Sequence, residues 1–318
     1  MNKTTTTTIY LHALTPVHAG TGQVSASVVD LPIAREKATN YPFLPATSLK
    51  GTLKSEPVDG LSKPGHIRLF GSESITKKRF IEIFEGDPNF ENDYKRFFGE
   101  EPKDKETEKQ TTIPGTLQFG DARLLCFPVR SWQGTFAYVT CPLVLSRLQR
   151  DFTALGASLP FAGDIPKPDT EEAAMVSANT ALADGEDIWL EDLKLKAAPE
   201  ESVSRIATGI AEALFPNETE RNTFVERFVV VSNTLFDFLV ETATEITARV
   251  KLKDDTKTVT TGGLWYEEAV PAETIFVAPV LGKATFPIPS GTVIQIGGNE
   301  TVGRGLCRLI ITTTGGNE

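Results

Sequence analysis

Thr15-Pro16-Val17-His18-Ala19-Gly20-Thr21-Gly22 opens a stretch that continues through Val28-Val29-Asp30-Leu31-Pro32-Ile33. It closes at Leu44-Pro45-Ala46-Thr47-Ser48-Leu49-Lys50-Gly51-Thr52-Leu53-Lys54. A loop punctuated by glycine and proline carries a histidine, an aspartate follows an apolar pair, and a short helix starts behind a proline. Thr47 or Ser48 is the expected N-cap, and Leu49 and Leu53 lie four apart on one helical face. Lys50 and Lys54 form a second such pair on a neighbouring face. A helix N-terminus with lysine beside it favours an anion, because free backbone N–H groups and the helix dipole both do. An Asp and a His near such a path suit acid/base or metal-assisted chemistry. Gly51 inside the helix costs about 1 kcal/mol against alanine, which points to something approaching the backbone there.

Working outward, Ile9 to Leu14 reads as a first strand and Val24 to Asp30 as a second extended piece. Pro57 to Ser74 reads as loop, and Ile75 to Phe98 as helical pieces broken at Gly86-Asp87-Pro88. Glu100 to Thr111 is a mixed-charge run without apolar anchors, expected to be a mobile loop. Gly120-Asp121 between two β-rich runs signals a hairpin. Leu143 to Leu155 reads as a helix with proline at its first turn, and Ile188 to Leu195 as one strand. Val203, Ile206, Ile210 and Leu214 mark an amphipathic helix, and Ser232-Asn233 caps another over Thr234 to Thr242. Residues 244–272 read as a β-hairpin with basic, threonine-rich flanks. Further strands are expected at Ile275 to Val280, Thr292 to Ile296 and Leu306 to Thr312, the last behind the Gly297 to Gly305 loop. Interspersed strands and helices make the fold class α+β.

The 318 residues are 40% hydrophobic and 23% charged, an ordinary globular balance. No run of about 18 apolar residues is present, which excludes a membrane-spanning helix. Met1-Asn2-Lys3 followed by five threonines lacks an apolar signal core, so the expected location is cytoplasmic. Cys126, Cys141 and Cys307 form no Cys-x-x-Cys pair, which argues against a disulfide framework and a structural zinc site. The net charge of −10 speaks against nucleic acid until it is divided: residues 1–80 carry +5, residues 81–243 carry −14, and residues 244–318 carry −1. A basic face can bind phosphate on an acidic protein, because screening limits cross-talk beyond about 10 Å.

Several of these segments resemble the RAMP superfamily: Thr15-Pro16-Val17-His18 with its Gly-Thr-Gly turn, Val28-Val29-Asp30, Ser48-Leu49-Lys50-Gly51, and the C-terminal glycine-rich loop with Arg304. Asp30-Leu31-Pro32-Ile33-Ala34-Arg35-Glu36, Asp121-Ala122-Arg123-Leu124-Leu125, Phe127-Pro128-Val129-Arg130, Val139-Thr140-Cys141-Pro142-Leu143 and Trp265-Tyr266-Glu267-Glu268 are similar, more narrowly, to the backbone nuclease subunits of type III-B CRISPR (Cmr) effector complexes. The resemblance implies a modified RNA-recognition-motif (ferredoxin-like) palm spanning 1–318, with an insertion at 57–111 and a β-hairpin thumb at 244–272. It implies copies stacked in a filament along crRNA, and a thumb wedged into the guide–target duplex so that target bases flip out. It implies cleavage of target single-stranded RNA at regular intervals with Mg2+ or Mn2+. The other partners implied are the large polymerase/cyclase-like subunit and the small helical subunit of the complex.

Asp30 stands at the family's catalytic-aspartate position, where it would bind the metal or orient the 2′-hydroxyl; without the resemblance it reads first as a cap on the turn before Pro32. His18 stands at the family's histidine position, as acid/base, RNA contact or plain loop residue. Lys50 and Lys54 are expected on crRNA phosphates. Arg304, Gly303 and Gly305 would meet phosphate through backbone N–H groups and a guanidinium fork; that loop opens a strand rather than a helix, which excludes a dinucleotide fingerprint. Trp265 and Tyr266 could stack on bases or pack on the palm, and Glu267 could approach the cut site. Arg249, Lys251 and Lys253 could grip the duplex backbone or simply be solvated. Asp121 and Arg123 read as structural or inter-subunit. The alternative function is a backbone subunit that holds crRNA without cutting. A stand-alone guide-processing enzyme is disfavoured, since the chain has only His12, His18 and His66.

Overall fold

The computed structural model describes residues 5–22, 29–99, 110–253 and 255–314. In chain order the first elements are β1 (Thr5–Ala13), β2 (Phe43–Leu44), α1 (Ala46–Ser55), α2 (Lys63–Phe70), β3 (Ser74–Thr76), α3 (Lys77–Phe84) and α4 (Phe90–Phe98). Next come β4 (Gln110–Thr112), β5 (Gln118–Phe119), β6 (Ala122–Arg130), β7 (Phe136–Thr140), α5 (Pro142–Leu155), β8 (Ala173–Val176), β9 (Ala183–Asp184), β10 (Asp187–Leu190) and β11 (Leu193–Pro199). The remainder is α6 (Glu201–Leu214), α7 (Glu218–Arg227), β12 (Phe228–Val230), α8 (Asn233–Thr242), β13 (Glu245–Leu252), β14 (Val259–Ala269), β15 (Ile275–Gly282), β16 (Val293–Gln295) and β17 (Leu306–Thr314).

One large sheet takes the order β16-β17-β1-β15-β6-β7-β12-β8-β11-β10-β9, with β2 on β6 and β5 on β15. Its pairs are antiparallel except β12 with β7 and β11 with β8. β1 lies between β15 and β17, and both of its faces are buried. Threonines 6, 7 and 8 are as buried as the apolar residues after them. They are polar in sequence but β-branched, and β-branched side chains pack well on a pleated surface. The strand therefore starts at Thr5, earlier than the apolar pattern predicts. The α+β class expected from the sequence is the one observed.

Several expectations need correction. Residues 57–74 are not all loop: Ser62 accepts from the Gly65 N–H, Pro64 occupies the first turn, and α2 follows. Proline reads as a breaker, but a first turn tolerates it. Gly120-Asp121 is a joint between β5 and β6, not a hairpin, since both strands lie along β15. Residues 188–195 form two strands, because Glu191 takes a left-handed φ of 50° and turns the chain. Helix α7 escapes sequence reading because Phe224 is its one buried side chain. Most of the Glu100 to Thr111 run, and the Val24 to Val28 part of the second extended piece, lie outside the described residues.

Residues 63–113 build a second core from Ile75, Phe80, Phe84, Tyr94, Phe98 and Ile113. Phe80 stacks on Phe84 at 4.2 Å, and Arg68 ties Asp87 and Asp93 beneath it. The hairpin β13–β14 is a sheet of its own, paired from Glu245–Ala269 to Leu252–Val259. All three cysteines are buried and free, and burial raises their pKa, for Cys141 to about 11. Among the described residues no helix is long and apolar enough to cross a membrane.

Phe80→Ala should cost about 3–5 kcal/mol of stability, measured by chemical denaturation. Faster amide exchange should be confined to α2, α3 and α4 and leave the β13–β14 hairpin at its wild-type protection.

Candidate active site and nucleic-acid interface

The outer edge of β14, the side away from β13, is where the opening stretch docks. The Tyr266 N–H donates to Asp30 Oδ2 at 2.8 Å. The Tyr266 carbonyl accepts from Leu31 N at 3.1 Å, and Glu268 N donates to the Leu31 carbonyl at 3.0 Å. The Glu268 carbonyl accepts from His18 Nδ1 at 2.6 Å. Val17 and Val270 exchange both backbone hydrogen bonds. Asp30 and His18, twelve positions apart in sequence, are thus fixed two residues apart along one strand, within about 7 Å of strand length.

A carbonyl only accepts, so the His18 hydrogen sits on Nδ1 and a neutral ring has its lone pair on Nε2. The ring is buried. A Cβ at Gly20 would come within 2.6 Å of Nε2, so glycine is what leaves room beside that nitrogen. Gly297, at φ 89°, passes so close to the His18 carbonyl that a side chain would collide there. Asp30 is partly exposed at the foot of the hairpin.

Glu267 is 5% exposed and fully engaged. Its Oε1 accepts from Trp265 Nε1 at 2.8 Å, and its Oε2 accepts from Arg249 Nε at 3.2 Å and Asn299 Nδ2 at 2.9 Å. Burial by itself raises its pKa. The hydrogen bonds from Trp265 and Arg249, the Arg249 charge and nearby His18 outweigh that and hold the carboxyl below its ordinary value. A saturated carboxylate with a depressed pKa is a poor proton acceptor or donor near neutrality. The expectation of a catalytic Glu267 is therefore corrected to an anchor between hairpin and glycine-rich loop.

That loop also differs from expectation. The Gly298 and Gly305 N–H groups donate to the His18 and Pro16 carbonyls, and those of Gly303 and Arg304 donate within the loop. These donors are used inside the chain, so they do not make an anion nest. Arg304 reaches the hairpin base, with Nη2 on Thr247 Oγ1 at 3.1 Å and Nη1 3.8 Å from Glu245. Its side chain is 13% exposed, a tether rather than a free phosphate fork. Trp265 turns inward with Glu267, whereas Tyr266 is exposed on the other hairpin face with Ile246, Val250 and Leu264. Lys251 and Lys253 are exposed on the same hairpin.

Helix α1 begins at Ala46 behind Pro45, without the side-chain cap expected from Thr47 or Ser48. Asp121 Oδ1 accepts from the Ala46 N–H at 2.8 Å, so a carboxylate from another element already holds the anion position at this terminus. Arg123 pairs with Asp151 at 2.7 Å, consistent with a structural Asp121–Arg123 motif. Lys50 and Lys54 are partly exposed, and neither pairs with a described carboxylate. Beside them Thr47, Gly51 and Ser55 are exposed, and a Cβ at Gly51 would meet nothing within 4 Å. Among the described residues nothing packs against Gly51.

Among the described residues no group of three or more His, Cys, Asp or Glu side chains is placed to hold a metal. The Asp30 carboxylate fits a single divalent ion whose other ligands are RNA oxygens and water, as is usual for Mg2+. It does not fit a two-metal cage, which needs several carboxylates.

A large sheet, a separate hairpin, and an Asp and a His both bonded to the hairpin's second strand define a class. The RAMP superfamily profile matches residues 10–308, and the chain belongs to that superfamily. Within it the similarity is to Cmr4 proteins along nearly the whole chain. The chain is 33% identical to the CRISPR system Cmr endoribonuclease Cmr4 of Pyrococcus furiosus, over 97% of each. It is 24% identical to the CRISPR system CMR subunit Cmr4 of Saccharolobus solfataricus, over 94% of each. The crystal structure of oligomeric Cmr4 from Pyrococcus furiosus aligns with a TM-score of 0.62 at 25% identity, covering 98% of this chain and 99% of that one. A chain of the Type III-B Cmr-beta complex bound to cognate target RNA shares the fold, with a TM-score of 0.60 at 20% identity over 96% of each.

Because the Glu267 pKa is lowered in the folded chain, its contribution to stability is present above the unfolded value of about 4.3. It is lost as pH falls through the lower folded value. Glu267→Gln should therefore melt below wild type at pH 7, and the gap should narrow progressively in melting curves taken at pH values falling below about 4.3. A gap independent of pH would contradict the anchor assignment.

Proposed function

We propose that the chain is the backbone subunit of a type III-B Cmr ribonucleoprotein, holding crRNA along α1 and cutting target RNA at Asp30. One observation carries the reading: Asp30 and His18 are both fixed on the outer edge of the strand that extends into the hairpin. The 33% identity to a relative named as an endoribonuclease supports it. The fold shared with an oligomeric Cmr4 supports stacking with further copies of the chain.

In this reading a hairpin wedged between guide and target unstacks a target base, through its exposed Ile246, Val250, Leu264 and Tyr266. Unstacking matters because A-form geometry holds the 2′-oxygen out of line with the adjacent phosphorus, and a distorted linkage can align it. Asp30, held by the Tyr266 N–H, orients the 2′-hydroxyl or accepts its proton. As the 2′-oxygen bonds to phosphorus the bond to the 5′-oxygen breaks, and His18, when it carries a proton on Nε2, can give that proton to the departing 5′-oxygen. A divalent ion on Asp30, when bound, would offset charge building on the phosphate. Glu267 and Arg304 hold the hairpin rather than the RNA. Because the distortion is supplied by assembly, the isolated chain should cut poorly.

Lys50, Lys54 and the open flank at Gly51 form the guide-binding face. Lysines act there as point charges on phosphate, so binding depends on salt.

In a complex reconstituted with guide and labelled target, Asp30→Ala should abolish regular cleavage while guide binding stays at the wild-type level. Cleavage that survives the change sinks the assignment, and an unsubstituted complex that binds guide and target but never cuts favours the non-catalytic alternative. Replacing Lys50 and Lys54 by alanine should weaken guide binding and lower the log–log salt slope by about 1 per lysine. Gly51→Ala should stabilise the free chain by up to about 1 kcal/mol yet weaken guide binding, read by melting and by filter binding respectively.

A further inference from the structure

Glu267 and Glu268 are consecutive on β14, and both are buried, at 5% and 7% exposure. Neighbouring strand residues point to opposite faces. Glu267 goes to the glycine-rich loop, and Glu268 goes the other way, into the segment that follows Asp30. Its Oε1 accepts from Arg35 Nη2 at 2.6 Å and from Thr244 Oγ1 at 3.1 Å, and its Oε2 accepts from the Ile33 N–H at 3.1 Å. The backbone of the same residue holds Leu31 through its N–H and His18 through its carbonyl.

Arg35 completes the arrangement. Both Nη atoms donate to the Val240 carbonyl at 3.2 Å, in the last turn of α8, and Nη1 also donates to the Asn40 carbonyl at 2.9 Å. A cation at a helix C-terminus is favoured by the dipole. The Arg35 and Glu268 side chains are 15% and 9% exposed, so water screens the pair little. One end of the pair is thus fixed to a helix of the main body and the other to the hairpin strand, with the Asp30 segment between them.

We infer that Arg35 and Glu268 are positioning residues for cleavage, setting where Asp30 and His18 stand relative to the hairpin. The inference rests on the assignment of Asp30 and His18 as the reacting pair. It requires no contact of either residue with RNA. The hairpin, the Asp30 carboxylate and the His18 ring share one hydrogen-bonded strand edge, and the ion pair joins that edge to α8. A displacement of the hairpin by RNA therefore reaches both side chains together. A misplacement of about 1 Å is enough to cost about a hundredfold in rate.

The test uses the reconstituted complex carrying Glu268→Gln or Arg35→Lys. The single-turnover cleavage rate should fall about 10- to 100-fold, the range typical of residues that orient reacting groups. Target-RNA affinity should stay within about twofold, because the pair is placed to act on orientation rather than on binding. Peptides spanning residues 29–35 and Tyr266 should exchange amide hydrogen faster, while α5 and α6 keep wild-type protection. Full-rate cleavage in an assembled variant overturns the inference. So does a joint loss of rate, affinity and protection throughout the chain, which marks a purely structural pair. If Glu268→Gln does not assemble, Arg35→Lys decides, since it keeps the charge and removes only the fork. Asp30→Ala run alongside separates the two readings. Cutting that persists there defeats the active-site assignment, whereas cutting lost there but intact in both pair variants defeats only this inference.

Discussion

A single strand edge governs this molecule. The outer backbone groups of β14 at Tyr266 and Glu268, and of Val270 just after it, are taken by Asp30, Leu31, His18 and Val17. An unpaired strand edge invites pairing with other chains. Here the edge is covered by the chain's own loop, and the covering residues are the reacting candidates. The same strand carries exposed apolar residues of the hairpin, Val259, Leu264 and Tyr266, so recognition and chemistry share one element. Because the groups that β14 contributes to these links are backbone groups, the Tyr266 side chain is left free to serve another purpose.

Charge is arranged on the same logic. The chain carries a net −10, yet the helix proposed for guide binding offers two lysines without described acid partners. Carboxylates near the site are neutralised locally: Glu267 by Arg249, Glu268 by Arg35. A polyanion approaching this end thus meets few uncompensated negative charges. Asp30 pairs with no described cation, and its partial exposure gives it the freedom that Glu267 and Glu268 lack.

Much of this was legible in the sequence. Leu49 and Leu53 mark the buried face of α1, and both are fully buried. The α6 periodicity and the Ser232 cap also match. The motifs carried by resemblance single out Asp30 and His18, which the fold brings onto one strand. What sequence reading missed was partnership. Arg304 and Glu267 look like ligands for RNA because polar residues in a glycine-rich loop and behind a hairpin are usually free. Their partners, Thr247, Arg249 and Asn299, are separated from them by 18 to 57 positions. Asp121 holds the Ala46 N–H from 75 positions away, which no local capping rule can reveal.

By itself the sequence determined the α+β class, the hairpin and the lysine helix. Those properties rest on local periodicity, turn chemistry and residue type, each set within a few neighbouring positions. Only the tertiary structure decided which polar groups remain available for RNA and which are consumed inside the chain. A buried donor or acceptor must find a partner wherever the fold brings one. That requirement turned Glu267 and Arg304 into anchors and placed Arg35 and Glu268 beneath Asp30.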